Sequence, residues 1–113
     1  MLPSKNRLRH GFDNIYKGKQ KIFNQYFILF FRENELEYSR FGFVIRKKLG
    51  KAYLRNKVKR RFRFIVRENL SNIKVGFDSI FLINHNLKDK WKEISFEDIK
   101  ENIIDTLKKA DKL

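Results

Sequence analysis

The hydrophobic and polar positions of this chain switch between two periods, and each switch marks an element. In "GFDNIYKG" the residues Phe12, Ile15 and Tyr16 stand at i, i+3 and i+4, which predicts a short first helix that Gly18 stops. "NQYFILFFREN" and "SRFGFVIRKK" are apolar runs of strand length separated by the polar "RENELEYS", and their simplest pairing is an antiparallel hairpin. A third strand is read in "GFDSIFLINHN", with Phe77, Ile80, Phe81, Leu82 and Ile83 as its apolar content. The helical period returns at the end of the chain, where Phe96, Ile99, Ile103 and Leu107 follow Ser95 as N-cap. Glu97 and Asp98 open that last helix and Lys108, Lys109 and Lys112 close it, the order that the helix dipole favours. Residues 1–10 are basic and are expected to fray.

The segment "RKKLGKAYLRNKVKRRFRFIVREN" also reads as a helix. At about 100° per residue, Leu54, Val58, Phe62 and Ile65 fall on one apolar arc that must face the sheet. Arg55, Asn56, Lys59, Arg60, Arg63 and Arg67 fall together on another. Like charges four residues apart each cost a few tenths of a kcal/mol, and the pairs 55/59, 59/63 and 63/67 repeat that cost. Solvated helix faces usually interleave both signs, and this one does not.

Charge sharpens the picture. From Tyr38 to Arg67 there are 12 Lys or Arg and no Asp or Glu, so this stretch holds most of the formal net charge of +14. Residues 68–113 have 8 basic and 9 acidic residues and read as neutral scaffolding. A cationic surface raises the local concentration of any polyanion; Arg is the better bidentate donor to phosphate, and Asn56 suits sugar hydroxyls or base edges, which favours nucleic acid over an acidic protein. With 113 residues, 42% hydrophobic content and 12 Phe, one domain over 1–113 has a modest core and no disorder signature. The chain has no Cys, which excludes disulfides and thiolate metal sites. No apolar run reaches signal-peptide or membrane-span length, so the expected address is the cytoplasm, with no membrane partner.

Phe12 and Tyr16 lie on one face of the first helix, and Phe30 and Tyr26 on the first strand extend a possible aromatic platform for unpaired bases; core packing accounts for the same spacing.

These residues carry a resemblance. "RKKLGKAYLRNKVKRRFR" resembles the signature of the bacterial ribonuclease P protein family, a Lys-Lys-aliphatic-Gly stretch before a helix bearing Arg-Asn-x-x-Lys-Arg-x-x-Arg, and Arg55, Asn56, Lys59, Arg60 and Arg63 fill its fixed places. "NRLRHGFDNIYKG" is similar to the family's opening, with Phe12, Tyr16 and Gly18 at matching positions. Arg46 and Lys51 depart from the pattern, and both departures add charge. The resemblance implies an α+β fold, a compact two-layer α/β sandwich in which a small, mainly antiparallel sheet is packed by about three helices, with a left-handed βαβ crossover through the basic helix. It implies a protein that does not cut RNA itself and carries neither catalytic nor metal-binding residues. By resemblance, Arg55, Asn56, Lys59, Arg60, Arg63 and Arg67, with Lys47 and Lys48, meet the catalytic RNA, while Phe12, Tyr16, Phe30 and Arg46 receive the single-stranded 5′ leader of precursor tRNA. The endonucleolytic step then belongs to Mg²⁺ held mainly by the partner RNA.

Other readings explain less. A self-contained nuclease needs converging carboxylates or His, whereas His10 and His85 are isolated in sequence. A helix-turn-helix DNA reader needs a short helix where "FGFVIRKKLG" reads as strand and turn, so no DNA partner is expected. A membrane-surface helix needs an exposed apolar face, and the core requires Leu54, Val58 and Phe62. A ribosomal or chaperone-like RNA binder explains the charge but not the motif.

Overall fold

The computed structural model describes residues 2–18 and 20–113, so Met1 of the segment expected to fray lies outside it. Seven main elements follow in order: α1 (Phe12–Lys17), β1 (Lys21–Phe23), β2 (Phe27–Glu33), β3 (Arg40–Val44), α2 (Ala52–Glu68), β4 (Phe77–Ile83) and α3 (Phe96–Lys109). The strands form one mixed sheet in the order β1-β2-β4-β3, with β1, β2 and β4 antiparallel in turn and β3 parallel to β4. The fold is α+β, with four strands and three main helices.

The expected β2–β3 hairpin does not form. A parallel partner requires a long crossover, and α2 supplies one between β3 and β4. The far edge of β3 is also occupied: the Leu8 N–H donates to the Phe41 carbonyl at 2.9 Å, and Arg7 bridges Phe41 in parallel. β2 therefore pairs with β4 instead. The fourth strand, β1, escapes a reading of the pattern because three residues hold barely one alternation.

Period two divides the sheet into two faces. On one, Phe27, Leu29 and Phe31 of β2, Phe41 and Phe43 of β3 and Phe77, Phe81 and Ile83 of β4 meet the buried stripes of α2 (Leu54, Val58, Phe62, Ile65) and α3 (Ile99, Ile103, Leu107). Phe62 sits among the rings of Phe27, Phe43, Phe81 and Trp91, with centroids 5.7 to 6.4 Å away. Ser95 caps α3 by accepting from the Asp98 N–H at 3.1 Å, as its sequence predicts.

On the other face Leu8, Ile15 and Ile80 form a smaller cluster under α1, with Phe12, Tyr16, Phe30 and Val44 packed around it. The N-terminal segment is docked where fraying was expected: Leu2 is buried in the main core, Leu8 in the smaller cluster, and the Asn6 side-chain amide donates to the Ser39 carbonyl at 2.9 Å. Apolar residues set between the cations of this segment anchor it. Among the described residues no helix is long and apolar enough to cross a membrane.

Candidate nucleic-acid interface

Two surfaces predicted from sequence meet at one edge of the molecule. The first is the outer face of α2. The chain enters it through a 3₁₀ turn at Lys47–Leu49, which leaves Lys47 and Lys48 exposed, and through Gly50, whose φ of 155° and ψ of −161° lie in a region that is essentially restricted to glycine. Arg55 Nε donates back to the Gly50 carbonyl at 3.1 Å, tying the first turn of the helix to the loop. Asn56 and Arg60 are exposed, and Lys59 and Arg63 are half-buried. With Tyr53 they line a shallow cleft of about 460 Å³. Arg67, at the end of the expected set, lies with its guanidinium 4.9 Å from the centroid of the Phe64 ring and 3.7 Å from the Glu68 carboxylate.

Among the described residues no carboxylate pairs with Arg55, Lys59, Arg60 or Arg63. Burial pushes the Lys59 ammonium pKa down, and the charge of Arg63 pushes it further; burial also lowers that of Arg63, with Arg7 adding to the effect. These cations are held close together without a counter-charge of their own, which is the electrostatic condition of a surface prepared for an anion.

The second surface is the aromatic cluster where α1 packs on the sheet. The Tyr16 and Phe30 rings meet edge to face with centroids 4.8 Å apart. Phe12 lies against β3, where only a glycine admits it: a Cβ on Gly42 would sit 2.9 Å from the Phe12 ring. Phe12, Tyr16 and Phe30 are all half-buried and pack around the smaller cluster, so core packing accounts for part of each ring and the rest is exposed. Burial raises the Tyr16 phenol pKa, opposed by the nearby positive charge of Arg46, which is itself exposed. Tyr26 is not part of this platform. It is buried in the main core, its hydroxyl donating to the Asp98 carboxylate of α3 and its ring 5.6 Å from Trp91.

What joins the two surfaces was not legible in the sequence. A crevice of about 220 Å³ is lined by Lys59 and Arg63 of α2, by Phe12 and Gly42, and by Arg7 and Arg9 of the N-terminal segment. Arg7 and Arg9 stand in the basic opening of the chain, and only the docking of that segment beside β3 brings them to α2.

Fold and site define a class: a small α+β protein whose cationic helix face shares a crevice with an aromatic residue of α1 and with the basic N-terminal segment. A family model described as Ribonuclease P matches residues 2–111. A ribonuclease P protein component of Thermotoga sp. (strain RQ2) is 39% identical over 105 residues, covering 93% of this chain and 90% of the relative, and that of Fusobacterium nucleatum is 39% identical over 92 residues, covering 81% and 83%. The solved structure of the RNase P protein from Thermotoga maritima superposes with a TM-score of 0.84 at 37% identity, covering 91% of this chain and 96% of that one. The Staphylococcus aureus RNase P protein superposes with a TM-score of 0.80 at 30% identity, covering 93% and 94%. The chain belongs to the ribonuclease P protein family.

Proposed function

We propose that this chain is the protein component of a bacterial ribonuclease P, working in the cytoplasm. The outer face of α2 (Arg55, Asn56, Lys59, Arg60, Arg63, Arg67), with Lys47 and Lys48, grips the catalytic RNA; Phe12, Tyr16, Phe30 and Arg46 hold the unpaired 5′ leader of precursor tRNA. The observation that carries this reading is the crevice that Lys59 and Arg63 share with Phe12, because it makes the two surfaces continuous. In this reading one RNA strand passes from the helix face to Phe12 through that crevice.

The protein's share of the chemistry is then binding and charge screening. Bringing two polyanions together is costly in repulsion, and a domain of net charge +14 offsets it. Mg²⁺ supplies Lewis-acid chemistry in such an enzyme. The donor set of this chain does not fit the ion: among the described residues no three His, Asp or Glu side chains converge, and Asp78 is already held by Arg40 at 2.7 and 2.8 Å and by Asn34 at 2.8 Å. In this reading the partner RNA would hold the ion. Holding the leader favours precursor over mature tRNA, which aids release as well as capture.

The test is cleavage of a 5′-extended precursor tRNA by a bacterial ribonuclease P RNA at low Mg²⁺. Site-specific leader removal is expected only when the protein is present. Arg60→Ala weakens assembly with the catalytic RNA and lowers the salt slope of binding by about 1. Cleavage that is indifferent to the protein, with RNA binding intact, would replace this reading with that of a general structured-RNA binder.

A further inference from the structure

Register on the α1 side of the sheet sets three parallel rows of side chains, because residues paired across strands share a face. Phe30, Ile80 and Gly42 form the middle row, under Phe12 and Tyr16. Arg32, Asp78 and Arg40 form a polar row at one end. Phe23, Ile28, Leu82 and Val44 form an apolar row at the other, two residues further along β2, which is about 7 Å. This last row is left open: Ile28, Leu82 and Val44 are only half-buried, and Phe23 is 67% exposed, the most exposed large hydrophobic residue among those described.

Ile28 and Leu82 of this row form the floor of a pocket of about 290 Å³, walled by Phe23, Arg46, His85 and Asn86. No carboxylate lines it, and Lys21 holds its ammonium 5.4 Å from the centroid of the Phe23 ring. Arg46 reaches both places, since it acts electrostatically on Tyr16 and also lines this pocket. An aromatic ring, an aliphatic floor and cations at the rim match a flat heterocycle on an anionic backbone, because bases stack on aromatic faces while their phosphates seek positive charge.

We propose that this pocket is a second nucleobase site, in which Phe23 stacks a base of the same unpaired RNA strand beyond the nucleotides held by Phe12, Tyr16 and Phe30. It rests on the leader reading given above and extends it. Its occupant is one base further from the cleavage point, with Arg46 taking the phosphate between the two sites and the His85–Asn86 wall closing over the base edge.

The experiment measures affinity of the assembled protein–RNA complex for precursor tRNAs whose leaders are lengthened one nucleotide at a time. Affinity is expected to rise in two steps, the second of about tenfold. Phe23→Ala removes the second step alone, Phe23→Trp retains it, and an abasic nucleotide at that position reproduces the loss in the unmodified protein but causes no further loss in Phe23→Ala. A second step that persists in Phe23→Ala, or that survives the abasic substitution, overturns the proposal. If Phe12→Ala and Tyr16→Ala abolish the first step while Phe23→Ala is silent, only the second site is refuted. If neither step exists for any leader length, the leader reading itself falls.

Discussion

Helices α2 and α3 pack on the same core and bury the same kind of apolar stripe, yet they differ in what they turn outward. α3 satisfies itself: Ser95 caps it, Glu97 and Asp98 sit at its positive end, and Lys108 and Lys109 at its negative end. α2 has no side-chain cap at Lys51, no acid in its first turn, and a face on which, among the described residues, Arg55, Lys59, Arg60 and Arg63 meet no carboxylate and only Arg67 does. A helix that is only structural gains by resolving such terms internally, as α3 does. One that leaves them unresolved, at a few tenths of a kcal/mol per like-charged pair, leaves them for something outside the chain.

The largest way to break the comparison is to remove what the helices share. Phe62→Ala takes the ring from the centre of the aromatic cluster and is expected to cost about 3–5 kcal/mol of stability, measured by urea unfolding. Next in size is the missing counter-charge. Sulfate is expected to bind where Arg7, Arg9, Lys59 and Arg63 line one crevice and to stabilise the fold by about 2.7 kcal/mol at one hundred times its dissociation constant, read as a raised melting temperature. Arg63→Gln shrinks that gain, and Lys108→Gln on α3 leaves it intact; a melting temperature indifferent to sulfate would contradict the account of α2.

Exchanging the caps sharpens the contrast further. Ser95→Ala is expected to destabilise the protein by about 1 kcal/mol without touching RNA affinity. Lys51→Asp, which gives α2 the cap and dipole partner it lacks, is expected to stabilise by about 0.5–1 kcal/mol while weakening RNA binding. Stability and affinity moving together in Lys51→Asp would mean that the bare helix end has no bearing on RNA.

An effect of similar size separates α3 by pH. Its Asp98 accepts a hydrogen bond from Tyr26 and pushes the phenol from 10.0 up to about 12. A folded-state value above the unfolded one means that this stabilisation is complete below about pH 10 and is lost as pH rises through about 12. Tyr26→Phe is expected to cost about 1 kcal/mol at neutral pH and to flatten that alkaline limb, as seen in melting temperatures across the range.

Legibility in the sequence followed the range of the interactions. The stripes of α2 and α3, the Ser95 cap and the shared face of Phe12 and Tyr16 on α1 depend on neighbours within four residues, and these were readable. The hairpin was misread because strand order depends on which edges are free, and β3 spends one edge on Leu8, more than thirty residues earlier. A sign was present in "SIFLI": a continuous apolar run suits a strand covered on both faces, and β4 is buried at all but one of its positions. Tyr26 was assigned to the cleft by proximity to Phe30, whereas its hydroxyl found Asp98, 72 positions away. Arg7 and Arg9 were invisible as site residues for the same reason, since nothing local says that their segment turns back to α2.

The strand order has one more consequence, in time rather than space. β4 is the last strand to be synthesised and the one that lies between β2 and β3. Until residue 83 has left the ribosome, β2 and β3 have no common partner, and two Phe-rich strands wait with open backbone edges, the feature that templates aggregation. Folding is therefore gated on a non-local event that closes the sheet from the middle, whose loop-closure entropy must be met before its contacts form. A nascent chain truncated before Phe77 has its basic helix complete but lacks the strand that joins β2 and β3 beneath it.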